Sequence, residues 1–198
     1  MNPFQYPDQK HVRRHGPRYV NVASYREWIR DEFSFRCTYC LDREMWNRRA
    51  GRFHVDHCRP QSSHPLESLD YDNLIYACSA CNLIKGSLLV PDPCESALGE
   101  CLRVDDDGVA HSLSEDGLRL IEVLNLNDAD CVKYRRLVRA TVEQAVRHED
   151  QTILLQWMGY PDDLPDLSLL EPLENRRPDG VNLSFFARRQ RGELSLMY

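Results

Sequence analysis

Apolar positions follow two rhythms along the chain. In "SYREWIRDEF", Tyr25, Trp28, Ile29 and Phe33 recur at steps of three and four, the period of a helix with one buried stripe. Ser24 and Glu27 form a capping-box pattern, which places the helix start near Ser24. "RFHVDH" and "LIYAC" are short runs rich in aromatic and β-branched residues and predict strands. Between them, "CRPQSSHPLESLDYDN" is rich in Pro, Ser and Asp and predicts a loop of about sixteen residues, a length that compact domains usually keep for function. "SACNLIKG" then predicts a short helix stopped by Gly86.

Beyond Pro91 the rhythm changes. "LRVDDDGVAHSL" has two short alternating runs around Asp107-Gly108, a hairpin signal. "SEDGLRLIEVLNL" predicts a helix that Gly117 weakens. "DADCVKYRRLVRATVEQAVRHED" carries the strongest helical pattern, with Val132, Leu137, Val138, Val142 and Val146 as its apolar stripe. "TILLQWMGY" continues as helix. The last 27 residues, with Pro172, Pro178 and Gly180, either wrap the surface or stay mobile. The expected division is an N-terminal basic arm at 1–22, a core at 23–90, a hairpin and helical extension at 91–171 and a tail at 172–198.

Charge divides along the same line. Residues 1–90 hold 13 Lys/Arg against 10 Asp/Glu, and residues 91–198 hold 12 against 21, within a total of −6. Basic clusters stand at "KHVRRHGPR", "NRRAGR" and "FFARRQR". They could hold a polyanion on one face, or be ordinary solvated arginines. No run of 18 apolar residues suggests a membrane span, and the N-terminal stretch has no secretory pattern. The chain is therefore expected in the cytoplasm, where eight cysteines favour metal ligands or buried thiols over disulfides.

Cys37 and Cys40 form one C-x₂-C pair, and Cys78 and Cys81 a second. Two such turns supply the four thiolates of a tetrahedral zinc site, which leaves no open position and is structural. The 37 residues between the pairs have room for a strand, a loop and a return strand, so the ion clamps both ends of that excursion. Cys58, Cys94, Cys101 and Cys131 lack such spacing and are expected in core packing. On the short helix Asn82 and Lys85 are three apart and share a face. With the clamp closed, Asp56, His57 and Asn82 can converge on one cleft.

"C-x₂-C", "VDHCRP", "YDNL" and "CNLIKG", over roughly residues 37–87, resemble the HNH endonucleases, the ββα-metal or His-Me finger nucleases. "VDHCRPQS" also resembles the HNH domain of CRISPR RNA-guided DNA-cleaving effectors, which generally lack the cysteine clamp. The resemblance implies an α+β fold: a ββα-metal nuclease core with a structural four-cysteine zinc site, followed by a mainly helical C-terminal extension. It implies a metal-dependent endonuclease acting on DNA phosphodiesters. His57 takes the general-base position, drawing a proton from the attacking water. Asp56 and Asn82 take the metal positions and hold one Mg²⁺ or Mn²⁺. Asn73 braces the long loop and through it His57. Lys85, and Arg59 near it, are placed to contact substrate phosphate. Asparagine stands at the last position where many family members have histidine, a common variant. Two other classes compete: a zinc-stabilised DNA-binding module without turnover, and an RNA-directed nuclease or toxin. Residues 91–198 carry no chemical motif, so their helices could pack under the nuclease, form a homo-oligomer, or dock onto another protein. Compact bacterial proteins resembling this one are found in anti-phage defence, sometimes beside an ATPase partner, and the resemblance extends that expectation here.

Overall fold

The computed structural model describes residues 2–46 and 53–198. The cluster "NRRAGR" lies outside the described residues.

The chain enters as an extended arm that buries Phe4 and Tyr6, then forms β1 (Pro17–Arg18). A 3₁₀ turn at Val22–Tyr25 runs into α1 (Arg26–Glu32). Because that turn starts ahead of the α-helix, the cap is Asn21 and not Ser24. The Asn21 side chain, on extended backbone, accepts from the Ser24 amide at 3.0 Å. Tyr25, Trp28, Ile29 and Phe33 are all buried, as their spacing predicts.

β2 (Phe53–His57) and β3 (Leu74–Cys78) form an antiparallel pair with Phe53 opposite Cys78 and His57 opposite Leu74. The long loop between them contains two 3₁₀ turns, Pro65–Glu67 and Tyr71–Asn73. β3 is buried along its whole length and passes directly into α2 (Ser79–Lys85). Gly86 ends α2 at φ +51°, a conformation that favours glycine.

α3 (Leu98–Cys101) precedes the expected hairpin, β4 (Leu102–Val104) and β5 (Ala110–Ser112). In α4 (Glu115–Val123), Gly117 is a point of contact. A Cβ there would lie 1.8 Å from the carbonyl oxygen of Cys101, so only glycine lets the helix approach. The stripe of α5 (Ala129–Arg147) is displaced from the expected one. Arg135, Val138, Val142 and Ala145 face inward, while Leu137 and Val146 are exposed. Arg135 belongs inside because its guanidinium donates to the carbonyls of Gly108 and Leu126, each at 2.6 Å. α6 (Gln151–Met158) packs Leu154 and Met158 on Val142 and Ala145.

The final segment wraps the surface. β6 (Glu174–Asn175) pairs with β1, and α7 (Phe185–Gln190) sets Phe185 against Phe35 and Leu164. The extension is no separate body: Leu98, Leu102, Leu120, Leu124 and Val138 share one buried cluster with Trp28, Leu74 and Tyr76. The fold is therefore mixed, with small two-stranded sheets and a helical C-terminal region. Among the described residues, no helix is long and apolar enough to cross a membrane.

The two described basic clusters are mostly engaged inside the protein. Arg13 is buried, its guanidinium over the rings of Phe33 and Tyr71 and donating to Asp72 O at 3.0 Å. Arg14 pairs with Asp31, and buried His15 does the same. Arg188 covers Phe185, and Arg191 pairs with Glu193. Among the other cysteines, Cys58 and Cys101 are buried and Cys94 is half-buried, but Cys131 is exposed on α5 and takes no part in the core.

Candidate active site

The first cysteine pair sits on a tight turn after α1. Leu41 at φ +62° closes it, and the Leu41 amide donates to Cys37 O at 3.0 Å. Thr38 ties the turn to β3 through its amide and hydroxyl, at 2.8 and 3.0 Å from Tyr76 O. The second pair straddles the junction of β3 and α2. Cys78 is also the N-cap of α2, its sulfur 3.5 Å from the Cys81 amide. All four sulfurs lie within 4.8 Å of one another, and those of Cys40 and Cys78 are 3.7 Å apart. A tetrahedron with Zn–S bonds of about 2.3 Å has edges of about 3.8 Å, so both donor set and spacing fit zinc. Thiols this crowded cannot ionise independently. Hydrogen bonds with Cys37 and then Cys40 hold Cys78 far below the usual thiol range, while those with Cys37 first push Cys40 and Cys81 up. A dication relieves the conflict by accepting four thiolates at once.

The hairpin and α2, which meet at Cys78, carry the candidate polar residues. Adjacent residues on a strand point to opposite faces, and the pair on β2 divides accordingly: Asp56 is buried, His57 half-exposed. Asp56 Oδ1 accepts the His57 backbone N–H at 2.8 Å. Oδ2 accepts the Tyr39 hydroxyl at 3.0 Å. Burial first, and then the Asp56 charge, push the Tyr39 phenol well above its usual range, so it is a hydrogen-bond donor at neutral pH.

The His57 ring turns away from Asp56. Its Nε2 lies 2.9 Å from the carbonyl oxygen of Ser68 and 3.1 Å from the Gln61 side-chain amide. The Ser68 carbonyl can only accept, so the shorter contact favours the tautomer protonated at Nε2, with the lone pair on Nδ1; the Gln61 nitrogen, itself a donor, then makes no hydrogen bond to Nε2. No described residue hydrogen-bonds Nδ1. Asn73, fully buried, ties the loop to itself: its oxygen accepts from the Arg59 amide at 2.8 Å, and its amide donates to Arg59 O at 3.0 Å and Glu67 O at 3.3 Å. It thus fixes the loop one residue before Ser68.

Asn82 lies on α2 one turn before Lys85, half-exposed, with no described hydrogen-bond partner for its side chain. Its amide oxygen and the Asp56 carboxylate are the hard donors that suit Mg²⁺ or Mn²⁺, and Asp56 Oδ1 holds only one donor, so acceptor capacity remains.

Lys85 and Arg59 differ from the expected phosphate contacts. Lys85 is 1% exposed. Its ammonium donates to His57 O at 2.7 Å and lies 3.4 Å from Asp56 Oδ2. The helix leads its stem inward under β2, so it braces the site from behind. Arg59 bonds Glu67 through Nε at 2.5 Å and lies 3.8 Å from both Asp92 and Glu95. Three carboxylates already compete for it.

Tyr39, Gln61 and Ser68 escaped the sequence reading. Tyr39 had a signal, its place between two metal ligands. Ser68 acts through its backbone, which residue type does not encode.

No curated protein matches the chain. Residues 37–88 match the family model described as HNH endonuclease. That match supports a metal-dependent, nuclease-type function in general and implies a nucleic-acid substrate. The matched span begins at the first zinc-type ligand and ends just past α2, so it encloses the four cysteines, the long loop and the polar residues described above: over this segment the chain is similar to the HNH endonucleases.

Proposed function

We propose that the chain is an endonuclease that hydrolyses DNA phosphodiester bonds with His57 as general base. The observation that carries this reading is the state of the His57 ring. Ser68 O, 2.9 Å from Nε2, favours the tautomer protonated there, which would leave the Nδ1 lone pair on a half-exposed ring for the reaction. Nδ1 takes a proton from water as the water oxygen bonds to phosphorus. The bond from phosphorus to the 3′ oxygen breaks on the opposite side, and that oxygen takes a proton from solvent. The products are a 5′-phosphate and a 3′-hydroxyl. Ser68 O steadies the imidazolium that forms. Asp56 and Asn82 hold one Mg²⁺ or Mn²⁺, which when bound offsets charge on the phosphoryl oxygens and the leaving oxygen. Asn73 keeps the loop, and so the ring, in register.

The test is incubation of supercoiled plasmid with zinc-loaded protein and Mg²⁺ or Mn²⁺, beside His57→Ala and an EDTA control. Nicking by the native protein alone supports the reading; equal nicking by His57→Ala removes it. Replacing the plasmid with structured RNA separates a DNA nuclease from an RNA-directed one. A binding module without turnover would retain the plasmid and cut nothing. A place in anti-phage defence in the cytoplasm, with an ATPase or another defence protein as partner, rests on the family resemblance; co-purification from the native host tests it.

A further inference from the structure

The Tyr39 hydroxyl is a buried group that the hydrolysis does not use. It is carried by the turn between Cys37 and Cys40, so the sulfur cluster fixes its backbone on both sides. From behind, the Tyr6 hydroxyl donates to Tyr39 O at 2.6 Å. The ring is 1% exposed, and its hydroxyl ends 3.0 Å from Asp56 Oδ2. A carboxylate turns easily about its last torsion. Here Oδ1 is gripped by a backbone N–H, while Oδ2 has the Tyr39 hydroxyl beside the Lys85 ammonium. Lys85 alone would draw Oδ2 toward itself, and the phenol offers a second, neutral donor to the same oxygen, held by the cysteine turn.

We infer that Tyr39 is a positioning residue that sets the plane of the Asp56 carboxylate for its divalent cation, and so transmits the geometry of the tetrathiolate site to the catalytic site. The inference rests on Asp56 being a cation ligand, as proposed above. Groups that hydrogen-bond a ligating carboxylate govern affinity for the ion, typically by 10- to 100-fold. Thr38 supplies the control. Its hydroxyl leaves the same turn and is also buried, yet it bonds Tyr76 O on β3 and not Asp56.

The experiment titrates zinc-loaded full-length protein with Mn²⁺, following free Mn²⁺ by electron paramagnetic resonance, in the native protein, Tyr39→Phe, Thr38→Val and Asp56→Ala. Zinc content is measured alongside. The expected result is Mn²⁺ binding about tenfold weaker in Tyr39→Phe, native affinity in Thr38→Val, and one zinc per chain in both. Native affinity in Tyr39→Phe while Asp56→Ala loses Mn²⁺ overturns the inference and leaves the proposed site standing. An equal loss in Thr38→Val also overturns it, because any damage to the turn would then suffice. Native affinity in Asp56→Ala overturns the cation site itself and this inference with it.

Discussion

His15 and His57 each stand beside a carboxylate, and they do so in opposite ways. His15 and Asp31 are both fully enclosed, with Nε2 2.8 Å from Oδ1. The ring stands edge-on to Trp28, and its Nδ1 is buried without a partner. Asp31 is further held by the Phe185 amide at 2.8 Å, so the pair bolts the N-terminal arm, α1 and the C-terminal segment together. His57 stands next to its carboxylate in sequence, yet only its backbone touches Asp56, while the ring is held by a carbonyl and stays half-exposed. A histidine locked to a buried carboxylate is a fastening. One held by a neutral acceptor, with its second nitrogen accessible, can exchange a proton with a substrate water.

Exchanging the two residues' fates is the sharpest way to break this comparison. His57→Ala should lower plasmid nicking by about 10²- to 10⁴-fold while thermal melting stays near that of the native protein. Loss of folding without a selective loss of cleavage would erase the distinction. His15→Ala should do the reverse. It strips a buried carboxylate of one partner and should cost about 3 kcal/mol of stability, read from urea unfolding, with nicking per folded molecule preserved. Lys85→Met leaves Asp56 buried beside no cation and should also cost about 3 kcal/mol. Its DNA affinity should keep the native salt dependence, since the loss of a phosphate contact would reduce that slope by about one.

Acid tests the carboxylate beside that fastening, Glu32, which the His11 ring and the Arg14 and His15 amides hold. Burial by itself would raise the Glu32 carboxyl, but the hydrogen bond from His11, the charges of His15 and His11 and the Arg14 amide outweigh it and bring it from 4.5 to about 2. A carboxyl lowered on folding adds stability above its unfolded value, and that stability drains away as pH falls toward the folded value. Here the window runs from about 4.5 down to about 2, and the contribution is at most about 3 kcal/mol. Melting temperature should fall through that window, and Glu32→Gln should flatten the fall. An equally steep fall in Glu32→Gln would assign acid sensitivity elsewhere.

The two regions were unequally legible in the sequence. Cysteine spacing announced the clamp, because two C-x₂-C turns have few other uses, and strand and helix periods announced β2, β3 and α2. The fastening was hidden. Asp31 and Glu32 look like ordinary helix-surface acids, and Arg13, Arg14 and His15 look like a polyanion-binding arm, until the fold places each set against the other. The same limit misplaced the α5 stripe: Leu137 and Arg135 exchange sides because Arg135 finds two carbonyls inside. Lys85 was legible as a member of the site but not in its direction, since spacing gives the face of a helix and not the depth of the pocket it faces.

Cys78 occupies the last position of β3, caps α2 and belongs to the sulfur cluster. Sheet and helix therefore meet at a vertex with no spacer residue, where an ion on the four sulfurs would share control of the angle with the apolar cluster that buries β3. This frees the outer surface of α2, where Leu83 and Ile84 lie open to water, to vary without tilting the helix. It also concentrates fragility. A serine at that vertex could still cap the helix, yet the angle would then rest on the far end of α2, where Lys85 reaches His57 O and Asp56 on β2.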